Sequence, residues 1–169
     1  MIGLIKAFWD ICTFNSAPQN LPASWTLLGI TVLGYFAVSL MIAAIQLGGT
    51  YALPAALLDV VLLSTLTRVV LWVKMFGERF VQTLTALTGT GTLLGLIAVP
   101  AVAWHQRVDA GGGDASLQAL LLLAWMAWDL SVIAHILRHA LTTMFYLGAA
   151  LALVYGYIAY RLTTILFLS

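Results

Sequence analysis

Five long apolar stretches, separated by short polar breaks, constrain this chain more than any other feature of its sequence. An α-helix rises about 1.5 Å per residue, so about 20 apolar residues cross the hydrocarbon core of a membrane. All five reach that length: they run over Pro22–Leu47, Tyr51–Val73, Phe80–Trp104, Leu117–Leu137 and Leu141–Phe167. We therefore predict an all-α integral membrane protein, a bundle of five transmembrane helices with a short N-terminal interfacial helix.

The composition points to the same class of protein. Of the 169 residues, 63% are hydrophobic and 8% are charged, whereas soluble domains average about 25% charged residues. The polar segments are too short to hold a core of their own, so we expect a single membrane domain, 1–169. A net charge of +1 gives no reason to expect a nucleic-acid partner. The single cysteine, Cys12, excludes an internal disulfide and a multi-cysteine metal site, and we expect no cofactor or metal.

The first 20 residues carry one apolar helical face. Its positions, three and four residues apart, are Ile2, Ile5, Phe8, Trp9 and Cys12. A helix with such a face suits the membrane surface, where Phe8 and Trp9 would lie among the headgroups. We predict a surface-lying helix here; the alternative is a frayed terminus.

The basic residues predict the orientation, because cytoplasmic loops carry an excess of lysine and arginine. If the N-terminus is cytoplasmic, that side holds Lys6, Arg68, Lys74, Arg79 and Arg138, and the opposite side holds Arg107 and Arg161. This imbalance favours a cytoplasmic N-terminus and a C-terminus on the other side.

Asp59 and Asp129 are the sharpest candidates for chemistry. They lie roughly 12 Å and 18 Å into the second and fourth predicted spans at 1.5 Å per residue. An acid at that depth costs at least about 2.5–3.5 kcal/mol on insertion scales. The functional interpretation is a proton or cation relay, or a site for a polar partner helix. The structural interpretation is a protonated or hydrogen-bonded carboxyl that fixes helix packing, for example through threonines of the third span.

Small residues recur every fourth position in two spans. These candidate packing positions are Gly91 and Gly95 in the third span, and Gly148, Ala152 and Gly156 in the fifth. Such rows allow helix backbones to approach closely in lipid. The threonines between Thr83 and Thr92 offer an alternative, a narrow polar path.

The other polar residues do not form a recognisable catalytic set. His135 and His139 share a helix face, but a metal site needs further ligands, so we predict an interfacial cluster. No nucleophile has a base and an orienting group at a recognisable spacing. We therefore expect a protein that is not an enzyme.

Two stretches carry a family resemblance, the proline-bearing Ser16–Pro22 before the first span and the small-residue run Glu78–Gly91. With the five-span layout, they resemble the Yip family of small membrane proteins, in its bacterial branch of unknown role. The resemblance implies a non-enzymatic, multi-pass protein of the bacterial inner membrane with a cytoplasmic N-terminus and a periplasmic C-terminus. It assigns no functional residues.

The expected function is that of a scaffold or accessory factor for other membrane proteins or lipid. Its partners would be membrane lipids and either other membrane proteins or further copies of the chain. The alternative is a small oligomeric transporter or channel that uses Asp59 and Asp129. A lipid scramblase is a third possibility.

Overall fold

The structure is a computed structural model that describes residues 2–167. Its helices are α1 (Ile2–Cys12), α2 (Trp25–Leu47), α3 (Gly49–Val73), α4 (Phe80–Ala110), α5 (Ser116–Ala140) and α6 (Phe145–Phe167). The last five are long and apolar enough to cross a membrane. The predicted all-helical fold, with five helices suited to membrane spans, is therefore confirmed for the described residues.

Successive spans run antiparallel, so the bundle has two ends. The Gly48 end carries the α2–α3 connection and the Gly111–Ala115 loop. The Arg79 end carries the α3–α4 and α5–α6 connections and the short 3₁₀ turn Pro18–Asn20.

Four span boundaries differ from the predicted ones by three residues or more; among them, the fourth span ends at Ala140 rather than Leu137 and the fifth begins at Phe145 rather than Leu141. The first span begins at Trp25 rather than Pro22, because the Ser24 hydroxyl accepts the Leu27 N–H at 3.4 Å and caps α2. The third span does not stop at Trp104: α4 continues to Ala110, and the glycines from Gly111 onward end it. The loop that follows is correspondingly short.

The central helix, α4, is the most buried of the five spans. Its glycines let α2 approach closely: a Cβ on Gly91 would lie 2.7 Å from the Tyr35 ring, and one on Gly95 would overlap Val38. A polar contact also joins the pair, since the hydroxyl oxygens of Thr88 and Thr31 lie 2.9 Å apart.

A second close contact joins α5 and α6. A Cβ on Gly148 would overlap the carbonyl oxygen of Ala134, and Ala152 is completely buried. Gly156 is less tightly placed, since a Cβ there would lie 3.7 Å from Leu130 Cδ2. The small-residue faces of both spans are thus covered by helices of the same chain.

The N-terminal helix packs into the bundle. Ile11 and Cys12 are buried and the Phe8 ring fills the space over Gly89, whereas Ile5 and Trp9 are exposed. The helix was predicted correctly, but its apolar face was wrong in part; the side chain of Ile2 lies outside the described residues.

The contact between Phe8 and Gly89 shows how far α1 extends along α4. Gly89 lies nine residues into α4, about 13 Å from its start at 1.5 Å per residue. The N-terminal helix therefore extends well along α4 and does not lie beside its end. Its position relative to a membrane surface stays a prediction.

Polar contacts hold the segment between α1 and α2 against the Arg79 end of the bundle. The Gln82 amide donates to the carbonyl oxygens of Gln19 at 2.8 Å and Leu21 at 2.5 Å. His135 Nε2 lies 3.1 Å from the Ser16 carbonyl oxygen, and its ring meets the His139 ring edge-on. The two histidines therefore join α5 to the N-terminal segment.

Candidate functional site

A cavity of about 240 Å³ lies among α2, α3, α4, α5 and α6. Asp59 and Asp129, the two acids singled out in the sequence, both line it. The other polar or aromatic lining residues are Tyr35, Ser39, Gln46, Thr90, Trp125, Tyr155 and Thr163. Apolar side chains make up the remainder of the wall.

Both acids lie near the middle of their helices, and α3 and α5 start at the same end of the bundle. Asp59 is ten residues into α3 and Asp129 thirteen into α5, about 15 Å and 20 Å from those starts at 1.5 Å per residue. The two carboxyl groups therefore meet the cavity at similar depths, far from either end of the bundle.

The two oxygens of Asp59 each accept a hydrogen bond from a neighbouring helix. Ser39 Oγ of α2 donates to Oδ2 at 2.8 Å, and the Tyr155 hydroxyl of α6 donates to Oδ1, also at 2.8 Å. The Tyr35 hydroxyl lies 3.5 Å from that of Tyr155. Asp59 thus links three helices through a serine and a tyrosine, and not through third-span threonines, the example given for the structural interpretation.

Those threonines bond mainly within their own helix. The hydroxyls of Thr85, Thr88, Thr90 and Thr92 each donate to a carbonyl oxygen four residues earlier, at 2.7–2.8 Å. Of the four, Thr90 lines the cavity. The continuous threonine-lined path that we weighed is not what the described residues form.

Asp129 has a different environment from Asp59. It lines the cavity and is otherwise closely surrounded by protein, yet among residues 2–167 it accepts no hydrogen bond. The indole N–H groups of Trp125 and Trp128 do not donate to Asp129. Trp125 Nε1 donates to the Leu94 carbonyl at 3.1 Å, and Trp128 Nε1 to the Cys12 carbonyl at 2.9 Å.

The cavity extends toward the Gly48 end of the bundle. Its wall includes Gln46, which is exposed near the Gly48 end. Toward the Arg79 end lies a second cavity of about 60 Å³ with largely apolar walls. Four residues border both cavities and together form what we call the septum, namely Leu63, Leu87, Ile133 and Tyr155.

Cys12 lies behind the cavity, on the α1 side of α5. Its side chain is fully buried, and burial, with the nearby Asp129 carboxylate as a smaller cause, raises the pKa of the thiol to about 12. A thiol nucleophile must be ionised to react. Cys12 is therefore inert in the folded chain.

Sequence reasoning missed three members of the site, Ser39, Tyr35 and Tyr155. Ser39 had a detectable signal, because it and Asp59 lie at similar distances on either side of Gly48 and so face each other across a tight antiparallel pair. Tyr155 had no comparable signal, since its pairing with Asp59 depends on how α6 packs against α3.

Comparisons with family models, with curated proteins and with solved structures found no match to this chain. The case for a function therefore rests on the cavity and the residues that line it.

Proposed function

We propose that the protein is a small membrane carrier or channel that binds a cation, either a proton or a larger ion, at the cavity lined by Asp59 and Asp129. The observation that supports this most is Asp129. Its carboxyl group borders an open cavity near mid-depth and has no hydrogen-bonding partner among the described residues.

Electrostatics favours a cation as the occupant. Two carboxylates at one poorly solvated site repel each other, and each is costly to ionise there alone. None of the residues that line the cavity within the described part of the chain is a lysine, arginine or histidine. A bound proton or cation would therefore supply the charge that the protein does not.

The membrane setting follows from the basic residues and the family resemblance. In a bacterial inner membrane with the N-terminus in the cytoplasm, the Arg79 end faces the cytoplasm, in accord with its excess of basic residues. The cavity then extends toward the periplasm, and the septum separates it from the smaller cavity on the cytoplasmic side. A cation would be taken up from the periplasmic side in this state.

A non-enzymatic scaffold role, as the resemblance to the Yip family implies, is the second candidate. One observation favours it: α6 is the least buried of the five spans, so a broad apolar surface is left for lipid or another membrane protein. Against it, the small-residue faces of α4 and α6 are already covered within the chain.

Flux measurements in proteoliposomes separate the two candidates. The purified chain is reconstituted, and proton and cation fluxes are followed under an imposed gradient for the wild type, Asp59→Asn and Asp129→Asn. Asp109→Asn is the matched control, because Asp109 is an exposed acid of α4 that does not line the cavity. We expect flux in the wild type and control, and none in Asp129→Asn. Correctly folded wild-type protein with no flux of any cation would contradict the carrier proposal and favour the scaffold.

A further inference from the structure

We infer that the cavity binds an organic ammonium ion, with Asp129 as the carboxylate that pairs with its charge. This inference rests on the proposed function and specifies its substrate class. It starts from the difference between the two acids. Asp59 already accepts hydrogen bonds from Ser39 and Tyr155, whereas Asp129, on the same cavity, accepts none from the described residues.

That difference assigns the two acids separate roles. An Asp59 that already accepts two hydrogen bonds holds α2, α3 and α6 together around the cavity. A ligand donor at Asp59 would share the carboxyl group with two hydroxyl donors, while one at Asp129 would share it with none. An ionised carboxyl group at mid-depth in a membrane is costly without a partner, so a cationic donor beside Asp129 lowers that cost. Asp129 is the binding acid and Asp59 the positioning acid.

The size of the cavity argues against a bare metal ion. At about 240 Å³ it has room for roughly eight waters, if each takes about 30 Å³. Calcium takes six to eight oxygen ligands at about 2.3–2.6 Å, and magnesium a tight octahedron. The cavity wall is poorly suited to such a shell, because most of the side chains that line it carry no oxygen.

The wall fits an apolar cation instead. Most of it is aliphatic, and three aromatic side chains, Tyr35, Trp125 and Tyr155, form part of it. The Trp125 ring is fixed by its bond to the Leu94 carbonyl. Aromatic rings attract organic cations, and ligand sites typically combine apolar walls with a few polar groups that orient the ligand. One carboxylate, aromatic rings and aliphatic walls together match an alkylammonium ion.

Isothermal titration of the detergent-solubilised full-length chain tests the inference, with tetraethylammonium chloride as the probe and sodium chloride for comparison. We expect saturable binding of tetraethylammonium to the wild type and to Asp109→Asn. In Asp129→Asn the affinity should fall by at least about tenfold, a loss of about 1.4 kcal/mol. Asp129→Glu, which keeps the charge, should retain part of the affinity.

Three outcomes would overturn the inference. The first is equal affinity for tetraethylammonium in the wild type and Asp129→Asn. The second is binding or flux of sodium ions or protons alone, dependent on Asp129; this would remove the substrate class and leave the proposed carrier intact. The third is no binding and no flux of any cation, which would remove both.

A second measurement on the wild type guards against a variant that fails to fold. A ligand that binds only the folded state raises its unfolding temperature as the ligand concentration rises. Tetraethylammonium should therefore raise the unfolding temperature of the wild type more than sodium chloride does at equal ionic strength. Equal effects of the two salts would also overturn the inference.

Discussion

The contact between α5 and α6 can be tested with two glycines of the same helix. In Gly148→Ala the new methyl group overlaps the Ala134 carbonyl oxygen and lies 3.2 Å from both the Ala134 carbonyl carbon and the Arg138 nitrogen. These are backbone atoms, so no side-chain rotation relieves the overlap and the helices must separate. In Gly156→Ala the nearest atom is Leu130 Cδ2 at 3.7 Å, an ordinary contact.

The two substitutions should therefore affect stability differently. Overpacking costs about 1–3 kcal/mol, and replacing a helical glycine by alanine gains up to about 1 kcal/mol. We expect Gly148→Ala to lose about 1–2 kcal/mol net and Gly156→Ala to be neutral or slightly stabilised. The two variants should thus differ by about 1–3 kcal/mol, and at about 2–4 °C per kcal/mol their unfolding temperatures should differ by roughly 2–12 °C.

Cys12 provides the assay for this comparison. It is the only cysteine of the chain and is fully buried, so a thiol-reactive fluorophore reports unfolding in detergent. Gly156→Ala serves as the matched control for the same chemical change in α6. If Gly148→Ala unfolds at or above the temperature of Gly156→Ala, the close α5–α6 contact is refuted.

Three further predictions use the same assay or the same thiol. Tyr155→Phe removes a donor to Asp59 and should cost about 1 kcal/mol, lowering the unfolding temperature by about 2–4 °C. The control Tyr157→Phe, at an exposed tyrosine of the same helix, should leave the unfolding temperature unchanged. Equal shifts in the two variants would contradict the hydrogen bond between Tyr155 and Asp59. Alkylation of Cys12, followed by mass spectrometry, should be about a thousandfold slower in the folded chain than in denaturant at about pH 8, because its thiol pKa of about 12 leaves few thiolates. Raising the pH to about 10 should speed the folded-state reaction about a hundredfold and the unfolded one less than about tenfold, since an ordinary thiol has a pKa of about 8.5; equal accelerations would show that the thiol is not protected. Gln82→Ala removes the hydrogen bonds that hold the segment after α1, so Cys12 should react faster than in the wild type; an unchanged rate would show that those bonds do not hold α1 in place.

The spans could be predicted from sequence because apolar length alone decides what can cross a membrane. The two candidate acids followed from the cost of placing a carboxyl group within such a span. Ser39 could also have been predicted from the sequence, because the single residue Gly48 between α2 and α3 fixes which positions of the two helices face each other. The hydrogen bond between Ser39 and Asp59 is the result.

Other features depend on packing that no local pattern encodes. The partnership of Tyr155 with Asp59 requires α6 to lie against α3, although almost 100 positions separate the two residues in the sequence. The face that α1 buries was mispredicted for the same reason. Ile11 is buried and Ile5 is exposed. This orientation of α1 results from two contacts, in which the Phe8 ring packs over Gly89 and the Trp128 indole donates to the Cys12 carbonyl. The cavity likewise arises only when five helices are assembled.

The most direct test of the account is the relative labelling of Asp129 and Asp59 by a hydrophobic carbodiimide, which modifies protonated carboxyl groups. The folded chain is treated in detergent at mildly acidic pH, and each modified acid is quantified by mass spectrometry, with denatured protein as the reference. The account predicts that Asp129, open to the cavity and without a hydrogen-bonding partner, is modified well before Asp59, whose two oxygens are both engaged. Faster modification of Asp59, or protection of Asp129 equal to that of Asp59, would contradict it.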